Sequence, residues 1–150
     1  MVFEDIIAVV ERMLKVELAV VQGTTVFEVA GEDGGRIRVL VQDESERHRV
    51  LLSADLGEPP PEGAETLFRT MLEANNLFEG TAGATLALDA ATGRFRLQKY
   101  DSPDELANDA KARIESFIET ALFWSRAIAD FRPSDGVPES SSADFHIMQV

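Results

Sequence analysis

Residues 67–100 read LFRTMLEANNLFEGTAGATLALDAATGRFRLQKY, and two hydrophobic periods meet inside that stretch. From about 62 to 78 the apolar side chains follow a helical spacing. Leu67, Met71, Ala74 and Phe78 fall on one line, while Ala64, Phe68, Leu72 and Asn75 lie on the line beside it. After Thr85 the period drops to two. Leu86 and Leu88, then Phe95 and Leu97, point one way around a polar turn at 89–93, and Thr85, Ala87, Arg94, Arg96, Gln98 and Tyr100 point the other. A helix running straight into an antiparallel hairpin places the chain in the α+β class. The apolar arc of the helix is wider than packing on one sheet consumes. It predicts a helix sandwiched between its own sheet and a second surface, such as its copy in a homodimer with isologous contacts. An interior helix covered on both sides by its own chain would carry the same pattern.

Working outward toward the N-terminus, the segment 57–63 (GEPPPEG) cannot continue a strand, because three prolines fix φ and remove backbone donors. It reads as a stiff crossing into the helix. Before it, apolar residues alternate at Thr25 to Val29, at Ile37, Val39 and Val41, and at Val50 and Leu52, broken by Gly23, by 31–35 (GEDGG) and by 43–46 (DESE). These are antiparallel strands joined by polar turns, each with one face on the core. The first helix shows Phe3, Ile6, Ile7, Val10 and Leu14 at helical spacing, with Val2, Val9 and Met13 beside that stripe. Its apolar arc also exceeds one buried seam.

Toward the C-terminus, Ser102-Pro103-Asp104-Glu105 is a helix start, with Ser as cap, Pro at the first position and Glu three residues on. The stripe that follows, Leu106, Ala110, Ile114, Phe117, Ala121, Trp124, Ile128 and Phe131, makes Trp124 a core residue and leaves Phe123 nearly opposite. Beyond it the composition turns to RPSDGVPESSSADFHIMQV, rich in Ser, Pro and Asp. The expectation is one domain over 1–132 and a flexible tail over 133–150, whose Phe145, Ile147 and Met148 form a short apolar patch.

Composition narrows the function. With 14 basic and 27 acidic residues the net charge is 14 − 27 = −13, which repels phosphate backbones and anionic lipid surfaces, so neither nucleic acid nor membrane is an expected partner. Absence of cysteine excludes disulfides, thiolate nucleophiles and Cys-ligated zinc, and suits a cytoplasmic protein. The start, MVFEDIIAVVERML, carries Glu4, Asp5 and Glu11 where a signal peptide needs a basic start and an unbroken apolar run. His48 and His146 have no partner arrangement, and no G-x-S-x-G, Walker A or H-E-x-x-H pattern is present. The run 43–46 lacks the alternating ligands and glycine of a calcium loop. No enzyme and no cofactor or metal site is expected. Arg94 and Arg96, on a solvent face, serve solubility and edge protection or meet a partner's acidic side chains.

With RVLLSADLGEPPPEG (49–63) ahead of the opening stretch, the chain resembles the class I type III secretion chaperone family, small acidic dimeric effector chaperones. The match is carried by Gly80 and Gly83, the ANNLFEGTAGATLAL run (74–88) and the LGEPP loop (56–60). The resemblance implies a single domain of order α-β-β-β-α-β-β-α, with a twisted antiparallel sheet flanked by helices. It implies a cytosolic homodimer that holds the N-terminal part of a secreted effector soluble and non-globular until it passes to the secretion ATPase. Carried over residue by residue, it puts Leu67, Met71, Ala74, Asn75 and Phe78 at the dimer contact. It puts Val2, Ile6, Val9 and Met13, with Thr85, Ala87 and Arg96, around the client groove. Asn75 and Asn76 depart from the family pattern, which favours an apolar residue there. The fold also suits an adaptor or regulatory module that binds a folded partner outside secretion. A client could add a strand to an open sheet edge in either case.

Overall fold

The computed structural model describes residues 2–133. The expected tail with Phe145, Ile147, Met148 and His146 lies outside the described residues, as does the side chain of Val2. The elements run α1 (Val2–Leu14), β1 (Thr24–Ala30), β2 (Arg36–Glu44), β3 (Arg49–Gly57), α2 (Ala64–Asn75), β4 (Thr85–Asp89), β5 (Arg94–Asp101), α3 (Pro103–Asn108) and α4 (Ala110–Ala129). The order read from periodicity holds, with one change at the end.

That change is a break. The last helix splits at Asp109, whose φ of −145° and ψ of 42° are not helical. Asn108 and Asp109 are weak helix formers whose side chains favour caps over helix interiors, and two in succession end the first piece. The start matches the sequence: Ser102 Oγ accepts from the Glu105 N–H at 3.2 Å, and Pro103 occupies the first turn. The buried stripe continues across the break from Leu106 to Ala110, Ile114, Phe117, Ala121, Trp124 and Ile128.

The five strands form one antiparallel sheet in the order β1-β2-β3-β5-β4. The hairpin therefore joins with its second strand inward, so Arg94 and Arg96 sit on an interior strand and guard no edge. Register places Phe27, Val39, Ala54, Leu97 and Leu86 in one row across all five strands, and every one is buried. The next row, Val26, Leu40, Ser53, Gln98 and Thr85, faces the opposite way. Helix α4 lies over β3 and β2 on the buried face, α1 packs on α3 and α4, and α2 lies against β4. Removing the apolar surface of these layers from water, at about 25 cal/mol per Å², is the main force holding them together. Leu88, read as inward, is half exposed, since it sits on the edge strand one residue before the turn.

Helix α2 ends a turn earlier than its spacing suggests. The Gly80 N–H bonds to the Ala74 carbonyl at 3.0 Å, and a Cβ on Gly80 would lie 2.7 Å from the Ala74 Cβ. Only glycine lets the chain fold back that closely. Trp124, fully buried, donates Nε1–H to the Gly80 carbonyl at 3.0 Å and fastens the turn to α4. Leu77 and Phe78 follow Asn76 in the left-handed region, at φ of 56° and 58°. Each costs about 1 kcal/mol or more of backbone strain, and both side chains are presented outward.

Candidate partner-binding surfaces

A sheet of this topology has two edges, and the hydrogen bonds at its margins show which is open. At β4, the Asn75 side chain treats Leu86 as a neighbouring strand would. Its Oδ1 accepts from the Leu86 N–H at 2.8 Å, and its Nδ2 donates to the Leu86 carbonyl at 2.9 Å. The middle of that edge is closed by α2.

At β1 the arithmetic of the ladder applies. The Asp43 N–H donates to the Gly23 carbonyl at 2.8 Å, and the Gly31 N–H donates to the Gly35 carbonyl at 2.6 Å. In the observed register both are directly opposed pairs, so hydrogen-bonded pairs fall on the odd positions of β1. The N–H and C=O groups of Thr24, Val26, Glu28 and Ala30 therefore point away from β2. Thr24 spends both of its groups on Val21, at 3.0 and 2.9 Å. Among the described residues no strand pairs with Val26 and Glu28 on that side.

Beside this edge runs an open groove of about 780 Å³, floored by Val9, Met13 and Leu14 of α1, Val29 of β1 and Ile118 of α4. Its rim carries both signs of charge, with Arg12 and Lys111 against Glu115 and Glu119. Val29 belongs to the edge strand and to the groove at once. Val20, Val21 and Val26 add exposed apolar surface along the same margin. An extended peptide laid on β1 would hydrogen-bond through Val26 and Glu28 and drop alternate side chains into the groove.

A second exposed apolar surface lies on α2, where Leu72 is 71% exposed, Leu77 77% and Phe78 53%. Phe68, half-buried, stacks edge-on against Phe95 with ring centroids 5.7 Å apart and anchors the shallow groove between Leu72 and Asn76. The outer sheet face is held by polar ties. Arg94 bonds Asp55 at 2.9 Å and Glu58 at 3.3 Å, Arg96 donates to Ser53 Oγ at 2.9 Å, and the Arg49 guanidinium lies 3.7 Å over the Tyr100 ring. Burial alone would raise the Asp55 carboxyl, but the Arg94 hydrogen bond, the Gly57 N–H and the nearby guanidinium charges outweigh it and hold the carboxyl below its usual range. The same bond raises Arg94.

The residues singled out from sequence are distributed unevenly over these surfaces. Leu67, Met71 and Ala74 are buried in the chain's own core, and Asn75 is committed to Leu86; only Phe78 of that set is exposed. Leu72 and Leu77 supply the rest of the outward α2 surface. Leu72 was legible as the neighbouring line of the helix, whereas Leu77 depends on a left-handed turn that no period announces. Of the second set, Val9 and Met13 line the groove, while Ile6 is fully buried in the core and does not. Thr85, Ala87 and Arg96 lie on the outer face of the sheet, away from α1. Strand addition at an open sheet edge was foreseen from sequence, but not that β1 is the open edge.

The model of the Tir chaperone protein (CesT) family matches residues 7–125, a span that includes the groove, the free edge and α2. The chain belongs to the CesT family. Its fold is shared by solved complexes. A chain of the HopA1–SchA chaperone–effector complex superposes with a TM-score of 0.64 at 17% identity, covering 87% of this chain and 94% of that one. A chain of the ExsC–ExsE complex gives 0.62 at 20% identity, covering 82% and 90%. No curated protein sequence matches the chain. The type III secretion chaperone resemblance read around Gly80 and Gly83 thus holds for family and fold. Among the described residues no helix of this CesT member is long and apolar enough to cross a membrane, and no three His, Cys, Asp or Glu residues cluster as metal ligands.

Proposed function

We propose that the chain is a cytosolic secretion chaperone that binds an effector or other secreted protein as a homodimer. It keeps the client's N-terminal segment soluble and non-globular for type III export, and residues 1–132 make up the chaperone-like domain that does so. The observation that carries this reading is the free β1 edge beside an apolar groove, with Val29 common to both. Backbone bonding at Val26 and Glu28 would give affinity for any extended chain, and the groove would select side chains. Family membership and the chaperone–effector complex among the fold neighbours support the same reading. The charge of −13 would keep a loaded complex soluble. Outward apolar residues on α2 supply the surface for the second copy.

The test is Val26→Pro. Its N–H points off the sheet and is not needed by β2, so proline there leaves the fold intact while removing a donor and obstructing an added strand. Tagged wild-type protein expressed in its native cytosol is expected to retain a client by that client's N-terminal segment, and the variant to lose it. Equal retention would refute strand addition at β1. A folded partner held equally well by both would move the protein to the adaptor class.

A further inference from the structure

The outer face of the sheet carries a row of charges whose signs alternate. Register sets Glu28 of β1 opposite Arg38 of β2, Arg38 opposite Asp55 of β3, and Asp55 opposite Arg96 of β5. Arg38 and Asp55 each have an opposite charge on both flanks, whereas Glu28, at the free edge, has one only on its inner flank. That single contact is loose, at 3.7 Å, and the Glu28 side chain stays 56% exposed. The neighbouring row is apolar at the same margin, where Val26 lies opposite Leu40. Val26 and Glu28 are also the residues whose backbone N–H and C=O groups point off the sheet. A strand that takes up those groups therefore sets its own side chains directly beside these two.

Antiparallel pairing is the stronger arrangement per residue and matches every strand pair of this sheet. A client strand running that way meets β1 in the order Val29, Glu28, Phe27, Val26. Its first and third residues turn to the inner face, where Val29 lines the groove and Phe27 is buried. Its second and fourth turn outward, beside Glu28 and Val26. We infer that the β1 edge selects a client segment of the pattern apolar-basic-apolar-apolar, with a lysine or arginine seated beside Glu28 as the next charge of the alternating row. Opposite charges across a strand pair attract, like charges repel, and the residue beside Val26 covers apolar surface. The backbone bonds would be the same for any sequence, so Glu28 is what makes the edge itself selective. This deepens the proposed function and rests on strand addition at β1.

Two fluorescein-labelled peptides of equal composition separate this selection from the general attraction of cations to a chain of charge −13. Both carry Gly-Ser flanks. One has the core Val-Lys-Val-Val and the other Val-Val-Val-Lys, which sets the lysine beside Val26. Sliding the second peptide by two residues to bring its lysine to Glu28 would leave only glycine and serine beside Phe27 and Val26. By fluorescence anisotropy with the full chain, the first is expected to bind about fivefold more tightly, the scale of one favourable cross-strand pair. Glu28→Gln is expected to bring the two within about twofold of each other, and Val26→Pro to abolish binding of both. Equal binding by the parent chain, with both peptides still lost in Val26→Pro, would overturn selection by Glu28 and leave strand addition standing. A preference that survives Glu28→Gln would overturn it as well. If neither peptide binds, or Val26→Pro binds both as the parent does, strand addition at β1 fails and the selection fails with it.

Discussion

Replacing Asn75 by alanine tests how the β4 edge is closed. The substitution removes both hydrogen bonds to Leu86, whose residue is 5% exposed, and leaves one backbone donor and one acceptor facing the space under α2. A net hydrogen bond contributes about 1 kcal/mol, and a backbone group left dry costs about 1–3 kcal/mol. Because Asn75 is only half-buried, water will reach part of the gap, and a loss of about 2 kcal/mol is expected. In a domain of this size that lowers Tm by about 4–8 °C. Asn75→Asp separates the two bonds: one oxygen still accepts from the Leu86 N–H, but the other faces the Leu86 carbonyl. Its loss at neutral pH should equal or exceed that of alanine and shrink below about pH 4, where the carboxyl can donate. Urea denaturation followed by circular dichroism gives the stability, and amide exchange at Leu86 reports the edge itself. Asn76→Ala, next in sequence and exposed, is the control and should stay within about 0.5 kcal/mol of the parent. If Asn75→Ala matched the control and Leu86 remained protected, the side chain would not be closing the sheet.

Other outcomes follow from the same geometry. Gly80→Ala forces a Cβ to 2.7 Å from Ala74 and should cost about 1–3 kcal/mol by thermal denaturation, with loss of the near-ultraviolet signal of Trp124, whose indole is bonded to the Gly80 carbonyl. Leu72→Asp should leave the stability of the single chain within about 0.5 kcal/mol but abolish the proposed dimer by sedimentation velocity, whereas Met71→Asp buries an unpaired charge and unfolds the chain itself. A Leu72→Asp protein that still dimerises would remove α2 from the interface. Asp55 has a lowered folded-state pKa, so its contribution is complete above about pH 4 and is lost as pH falls through the folded value. Arg94→Leu should therefore flatten the acid limb of a stability–pH curve, by no more than about 1 kcal/mol because Arg94 is 37% exposed.

The element order was legible because hydrophobic period reports local conformation directly: 3.6 on the helices, two on the strands, with proline and glycine marking the boundaries. The Ser102 cap and the buried stripe through Trp124 were legible for the same reason. Period does not say which side of a helix meets the core when two adjacent lines are both apolar. On α2 the line through Leu67 and Met71 turned inward and left Leu72 outside, because Phe95, Leu97 and β4 occupy the inner side. Asn75 looked like a departure from an apolar interface because its partner, Leu86, is defined only once the hairpin lies beside α2. Local sequence by itself determined the helices, the strands and the family-bearing turn at Gly80. Tertiary structure alone decided the candidate binding surface: which strand ends the sheet, and which of its backbone groups remain unpaired, depends on the lateral order β1-β2-β3-β5-β4, a pairing between distant segments that no local pattern encodes.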